Sequence, residues 1–183
     1  MKQEDMEIAN KTARSLGAVG KNALVPQIIR AKYPIDQQSS DFTVLDFGSG
    51  PNARHTKELR KYGYICHAYE MGANYSSKVH ISDDLMRGMH FDVIMVSNVI
   101  NTLSSLDAVF ETLNKIYSLA SEYTEIILNY PKSPRKCDLL CEDFLSVLLR
   151  NRFKNINTDS LTKKGVYYCT QKQARIFQDG EYK

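Results

Sequence analysis

Gly48-Ser49-Gly50-Pro51-Asn52-Ala53 satisfies the pattern G-x-G-x-x-G/A, and Glu70 lies 20 residues beyond Gly50. This is the spacing at which a glycine loop approaches a ligand and a following carboxylate meets a ribose. The pattern alone does not choose the ligand, but Asp46 discriminates. A dinucleotide pyrophosphate is anionic and needs bare amides at a helix N-terminus, whereas a carboxylate just before the loop repels it. Asp46 and Glu70 around the glycines therefore point to a cationic ligand with ribose hydroxyls, the alternative being a capped turn and a strand-end charge. His55, His67, His80 and His90 share no metal-ligand spacing, and His55, just after the loop, is the one placed to matter. Cys66, Cys137, Cys141 and Cys169 contain no C-x-x-C pair, so reduced structural thiols are expected and no metal centre.

These side chains need a scaffold. Residues 42–47 form a short apolar run stopped at Gly48, as a buried strand would be, and residues 52–62 supply a helix after the loop. Residues 64–70 read as a second strand, residues 76–84 as a short third one around Val79 and Ile81, and residues 91–99 as a strand covered on both faces. Leu106, Val109, Phe110, Leu113, Ile116, Tyr117 and Ala120 mark an amphipathic helix, followed by a strand at 124–129 and a helix at 138–150. Residues 153–156 and 165–169, joined through Lys163 and Lys164, are too close for a helical crossover and predict an antiparallel pair. Leu24, Val25, Ile28, Ile29 and Tyr33 mark a helix near the N-terminus, after a more polar stretch interrupted by Gly17 and Gly20. The expectation is one α/β Rossmann-like domain over residues 1–183. Its mostly parallel sheet has six to seven strands with an antiparallel terminal strand, and a helical segment at 1–40 lies over the pocket.

S-adenosylmethionine meets the demands of the glycine loop, since its ammonium and sulfonium are positive and its ribose can bond Glu70. Val44-Leu45-Asp46-Phe47-Gly48-Ser49-Gly50-Pro51 resembles motif I of the class I S-adenosylmethionine-dependent methyltransferases, and Tyr69-Glu70-Met71 resembles the acidic end of their second strand. Thr12-Ala13-Arg14-Ser15, the D-F-G-S-G loop, Gly63-Tyr64 and the run from Val96 to Leu103 are also similar to small methyltransferases associated with DNA phosphorothioation. That resemblance spans about residues 12–130 and departs from the group at Ser49 and Pro51. The resemblance implies a donor site of Asp46, Gly48, Ser49, Gly50, Glu70 and Met71, with Asp83 (or Asp84) at the end of the third strand beside the adenine and Ser97 and Asn98 bordering the methyl donor. Ser97-Asn98-Val99-Ile100 is not the Asp/Asn/Ser-Pro-Pro-aromatic loop by which the family's DNA-amino group holds a base amine. Asn98 and Tyr130 are the candidates for the acceptor side, with Asn129-Tyr130-Pro131 after the next strand offering an amide and an aromatic platform.

The acceptor is left open among small molecules, proteins and nucleic acids. Net charge is −2 over residues 1–130 and +5 over residues 131–183, so the C-terminal part could meet a polyanion or be a solvated basic face. A non-catalytic donor-binding or assembly subunit is the alternative to an enzyme, and a nicotinamide enzyme is a third reading. With 43% hydrophobic and 25% charged residues in 183, the chain buries one core. No apolar run nears the roughly 20 residues that cross a bilayer, and a cytoplasmic location is expected.

Overall fold

The computed structural model describes residues 2–15, 23–133, 135–158 and 165–172; Gly17, Gly20, Lys163 and Lys164 lie outside them. Six strands form one sheet: β1 (Thr43–Phe47), β2 (Ile65–Tyr69), β3 (Val93–Val96), β4 (Glu125–Asn129), β5 (Phe153–Thr158) and β6 (Val166–Lys172). The helices are α1 (Gln3–Ser15), α2 (Leu24–Lys32), α3 (Arg54–Lys61), α4 (Asp83–Arg87), α5 (Leu106–Leu119) and α6 (Glu142–Arg150). The order is β2-β1-β3-β4-β6-β5, with the first four strands parallel and the last two antiparallel to their neighbours. The chain runs outward from β1 to β2 and then returns past β1 to β3. That reversal opens a crevice at the carboxyl ends of β1 and β3, where open α/β sheets bind ligands.

The parallel strands carry apolar residues on both faces because both faces are covered. Leu45, Ile94, Val96, Ile126 and Leu128 face a core shared with Val109, Leu113 and Ile116 of α5 and Leu145, Leu148 and Leu149 of α6. Val44, Cys66, Val93, Met95 and Ile127 face the other core, with Val25 and Ile29 of α2 and Leu59 of α3. Thus α2 packs across the sheet, while α1 reaches the carboxyl ends of the strands.

Two elements differ from the sequence expectation. No strand forms at 76–84. The Ser76 carbonyl accepts from both Val79 N (2.9 Å) and His80 N (2.8 Å), closing a turn, and Ile81 N donates to the Ala68 carbonyl of β2 (2.9 Å) without a ladder forming. Asp83 therefore opens α4 instead of ending a strand. The last helix begins at Glu142 rather than 138, because the Cys141 Sγ accepts from Phe144 N (3.4 Å) and caps it. Cys66, Cys137 and Cys169 are buried and Cys141 is exposed.

Candidate functional site

β1 delivers the glycine loop into the crevice. Gly48 has φ +72°, and a Cβ there would lie 2.5 Å from Val99 Cγ2, so only glycine fits. Gly50 has φ +71° but a Cβ there would meet nothing within 4 Å; its glycine is required by conformation, not by a crowded neighbour. Four of the loop's amides, at Gly48, Ser49, Gly50 and Ala53, are spent inside the protein. Gly48 N and Ser49 N donate to the Tyr69 carbonyl (2.9 and 3.0 Å), and Ala53 N donates to the Gly50 carbonyl (3.2 Å). Gly50 N donates to Glu70 Oε2 (2.6 Å), while Glu70 Oε1 accepts from Met71 N (2.8 Å). Burial pushes the Glu70 carboxyl above its ordinary pKa, against these two bonds. His80 braces the same loop. Its Nδ1 accepts from Ser76 N (2.9 Å), so Nε2 carries the proton and donates to the Gly50 carbonyl (3.0 Å).

Asp46 is 1% exposed and turned toward α3. Its Oδ2 accepts from Thr56 N (3.1 Å) and Thr56 Oγ1 (2.7 Å). Burial raises its pKa, opposed by the nearby His55 imidazole and the Thr56 bonds. His55 is buried, and its Nε2 has no hydrogen-bond partner among the described residues.

The facing wall is the end of β3. Asn98 holds a left-handed backbone, φ +57°, a conformation that Asn tolerates better than most residues. Its N–H donates to Asn129 Oδ1 (2.7 Å), and Asn129 Nδ2 donates to Asn98 Oδ1 (2.8 Å). The buried Ser97 Oγ has no partner among the described residues. Tyr130 is 1% exposed, its hydroxyl donating to the Leu140 carbonyl (2.6 Å) under the Arg135 guanidinium. It packs behind the site and offers no open ring as a platform. Asp83 pairs with Lys115 (2.6 Å) and accepts from the Tyr69 hydroxyl (3.1 Å), and the bond to Lys115 holds its carboxyl below the ordinary range.

Met6, Ala9, Asn10, Gly48, Glu70, Met71, Asn98, Val99, Thr102 and Leu103 line a cavity of about 50 Å³ between these walls. The structure thus brings Gly48, Glu70, Met71 and Asn98 together on it, whereas Asp46, Ser49, Gly50, Asp83, Ser97 and Tyr130 are not in its lining. α1 closes it, held by Ser104 Oγ donating to Asp5 (2.6 Å) and Asn74 Nδ2 donating to the Asn10 carbonyl (3.3 Å). The sequence did not pair Asn129 with Asn98, did not single out Thr56, and did not show that His80 holds Gly50. Asn129 had a signal in being the polar residue that ends an apolar strand beside the one ending near Asn98.

No protein-family model and no curated protein sequence matches the chain. Among solved structures it is similar to a TehB-like SAM-dependent methyltransferase from Corynebacterium glutamicum ATCC 13032 (TM-score 0.58, 16% identity, 90% of this chain and 93% of that one). It is also similar to a SAM-dependent methyltransferase from Aquifex aeolicus (0.54, 13%, 89% and 97%). A third is the 1,6-didemethyltoxoflavin-N1-methyltransferase of Burkholderia thailandensis, solved with that compound and S-adenosylhomocysteine (0.51, 15%, 92% and 80%). The chain has the Rossmann-like fold of these proteins.

Proposed function

We propose that the chain transfers a methyl group from S-adenosylmethionine to an acceptor bound at the carboxyl ends of β3 and β4. The observation that carries this reading is the polarity of the glycine loop. Its amides at Gly48, Ser49, Gly50 and Ala53 are already donated within the protein, so the loop is a poor cradle for a pyrophosphate. It presents the Glu70 carboxylate instead, and each Glu70 oxygen keeps lone-pair capacity for a ribose hydroxyl. The shared fold with methyltransferases supports the same choice of donor.

The donor, when bound, supplies an electrophilic methyl on a sulfonium sulfur. In this reading Glu70 holds the ribose, Gly48, Ser49 and Gly50 let the backbone approach, and Met71 packs beside them. Asp83, fixed by Lys115 and Tyr69, flanks the adenine side. Asp46 lies beneath the loop as a negative charge favouring a cation, Ser97 borders the methyl, and Asn98 faces the acceptor. Tyr130 acts through packing. Among the described lining residues Glu70 is the one titratable side chain, and its oxygens serve Gly50 and Met71. The acceptor then needs a lone pair available without prior removal of its proton.

A cavity of about 50 Å³ is well below the roughly 300 Å³ at which small-molecule pockets begin. Donor entry therefore requires the walls of the crevice, α1 among them, to move apart. For a nucleic-acid acceptor, the basic segment past β4 offers Lys132 and Lys136, since Arg135 is committed to Glu142 (2.6 Å). The test is calorimetric titration with S-adenosylmethionine and with NAD, followed by S-adenosylhomocysteine release over a panel of acceptors. Binding of the first donor alone, with product release, is expected. Binding without release from any acceptor would favour a non-catalytic subunit, and binding of NAD would overturn the assignment.

A further inference from the structure

The Asn98–Asn129 pair fixes which way both amides point. A backbone N–H can only donate, so the 2.7 Å bond from Asn98 N identifies the Asn129 atom it meets as the oxygen. Asn129 Nδ2 is then the donor of the 2.8 Å bond to Asn98, which must receive it on Oδ1. Asn98 Nδ2 is left as the free end of that amide, on a residue that lines the cavity beside Gly48 and Glu70. No acceptor for its two N–H groups occurs among the described residues. Neither amide can flip without facing two donors, or two acceptors, against each other.

Resting on the methyltransferase reading above, we propose that Asn98 selects acceptors carrying a carbonyl oxygen next to the methylated atom, and that Asn129 is the positioning residue that sets this polarity. Such an oxygen accepts from Asn98 Nδ2. An exocyclic amine at the same place would bring a donor against a donor and leave both unsatisfied, a mismatch that buried polar sites reject strongly. The surrounding Val99, Leu103 and Met71 favour a flat, largely apolar body around that polar edge.

Matched rings in which a carbonyl and an amine are exchanged, together with the proton on the adjoining ring nitrogen, read this polarity. Hypoxanthine against adenine and uracil against cytosine serve as binding probes, titrated into the full chain saturated with S-adenosylhomocysteine. The carbonyl member of each pair should bind at least tenfold more tightly. Asn98→Asp keeps the bonds to Asn129 and tolerates φ +57°, but replaces the free donor by an acceptor. It should shift the carbonyl-to-amine ratio at least tenfold toward the amine, with donor affinity changed less than threefold. Asn129→Ala should flatten the preference by freeing the Asn98 amide to turn. Equal binding within the pairs, a ratio unmoved by Asn98→Asp, or no binding of either carbonyl probe to the loaded protein would overturn the inference. Failure to bind S-adenosylhomocysteine at all would instead overturn the methyltransferase reading, and this inference with it.

Discussion

Asp46 carries an ionisable group at a position 1% exposed, where burial outweighs His55 and Thr56 and raises its pKa. With the folded value above the unfolded one, the stability linked to this group is fully present below the ordinary carboxylate range and is lost as pH rises through the folded value. At neutral pH the charge is therefore destabilising. Asp46→Asn, whose Oδ1 can still accept from Thr56, should raise Tm at pH 7 and raise it less at pH 4; thermal unfolding at the two values checks this, and an equal gain at both would remove the role of charge. Glu70 is the contrasting residue, also raised by burial but lining the cavity. Glu70→Ala should weaken S-adenosylmethionine binding by roughly one to two decades, the equivalent of about 1.5 to 3 kcal/mol for hydrogen bonds to a charged group. An unchanged calorimetric affinity would remove Glu70 from the donor site.

α1 reaches its place over the crevice partly because residue 72 has no side chain. Gly72 has φ +65°, and a Cβ there would collide with Met6 Sδ and lie 2.7 Å from Asn10 Nδ2. Gly72→Ala should cost about 1 to 2 kcal/mol in left-handed strain and speed amide exchange in residues 3–12. Gly88→Ala, whose Cβ would meet only the Leu85 carbonyl at 3.7 Å, is the control expected to leave that exchange unchanged. The contacts that seat α1 could not be read beforehand, since those between α1 and residue 72 join segments far apart in the chain. β1, its glycine stop and β4 were legible because a strand buried on both faces must be apolar throughout. The segment 76–84 misled for a related reason: Val79 and Ile81 alternate as a strand would, and nothing local reveals that Ser76 closes a turn and His80 is used to hold Gly50. The start of α6 was obscured by an uncommon cap, the Cys141 thiol. At the site, Glu70 was legible from its distance to the glycines, whereas the Asn98 partner was not, because Asn129 comes from the next strand.

The sheet keeps its two ends separate. At the end opposite the crevice, Glu125 opens β4, 7% exposed, and joins α2 through Lys32 (2.6 Å) and the Tyr33 hydroxyl. Glu125→Gln should lower stability in urea by about 1 to 3 kcal/mol while donor affinity stays the same, and a matching loss of affinity would mean that the ends are coupled. No helix among the described residues is long and apolar enough to cross a membrane. The turn that replaces a strand at 76–84 also makes β2 an outer strand, and its outward carbonyls are both engaged. Cys66 O accepts from Arg60 Nε (2.7 Å), and Ala68 O accepts from Ile81 N (2.9 Å). A strand from a second copy that came to extend the sheet would have to break both bonds first. Two local hydrogen bonds thereby protect against aggregation along β2, denying neighbouring molecules the ladder by which separate sheets merge.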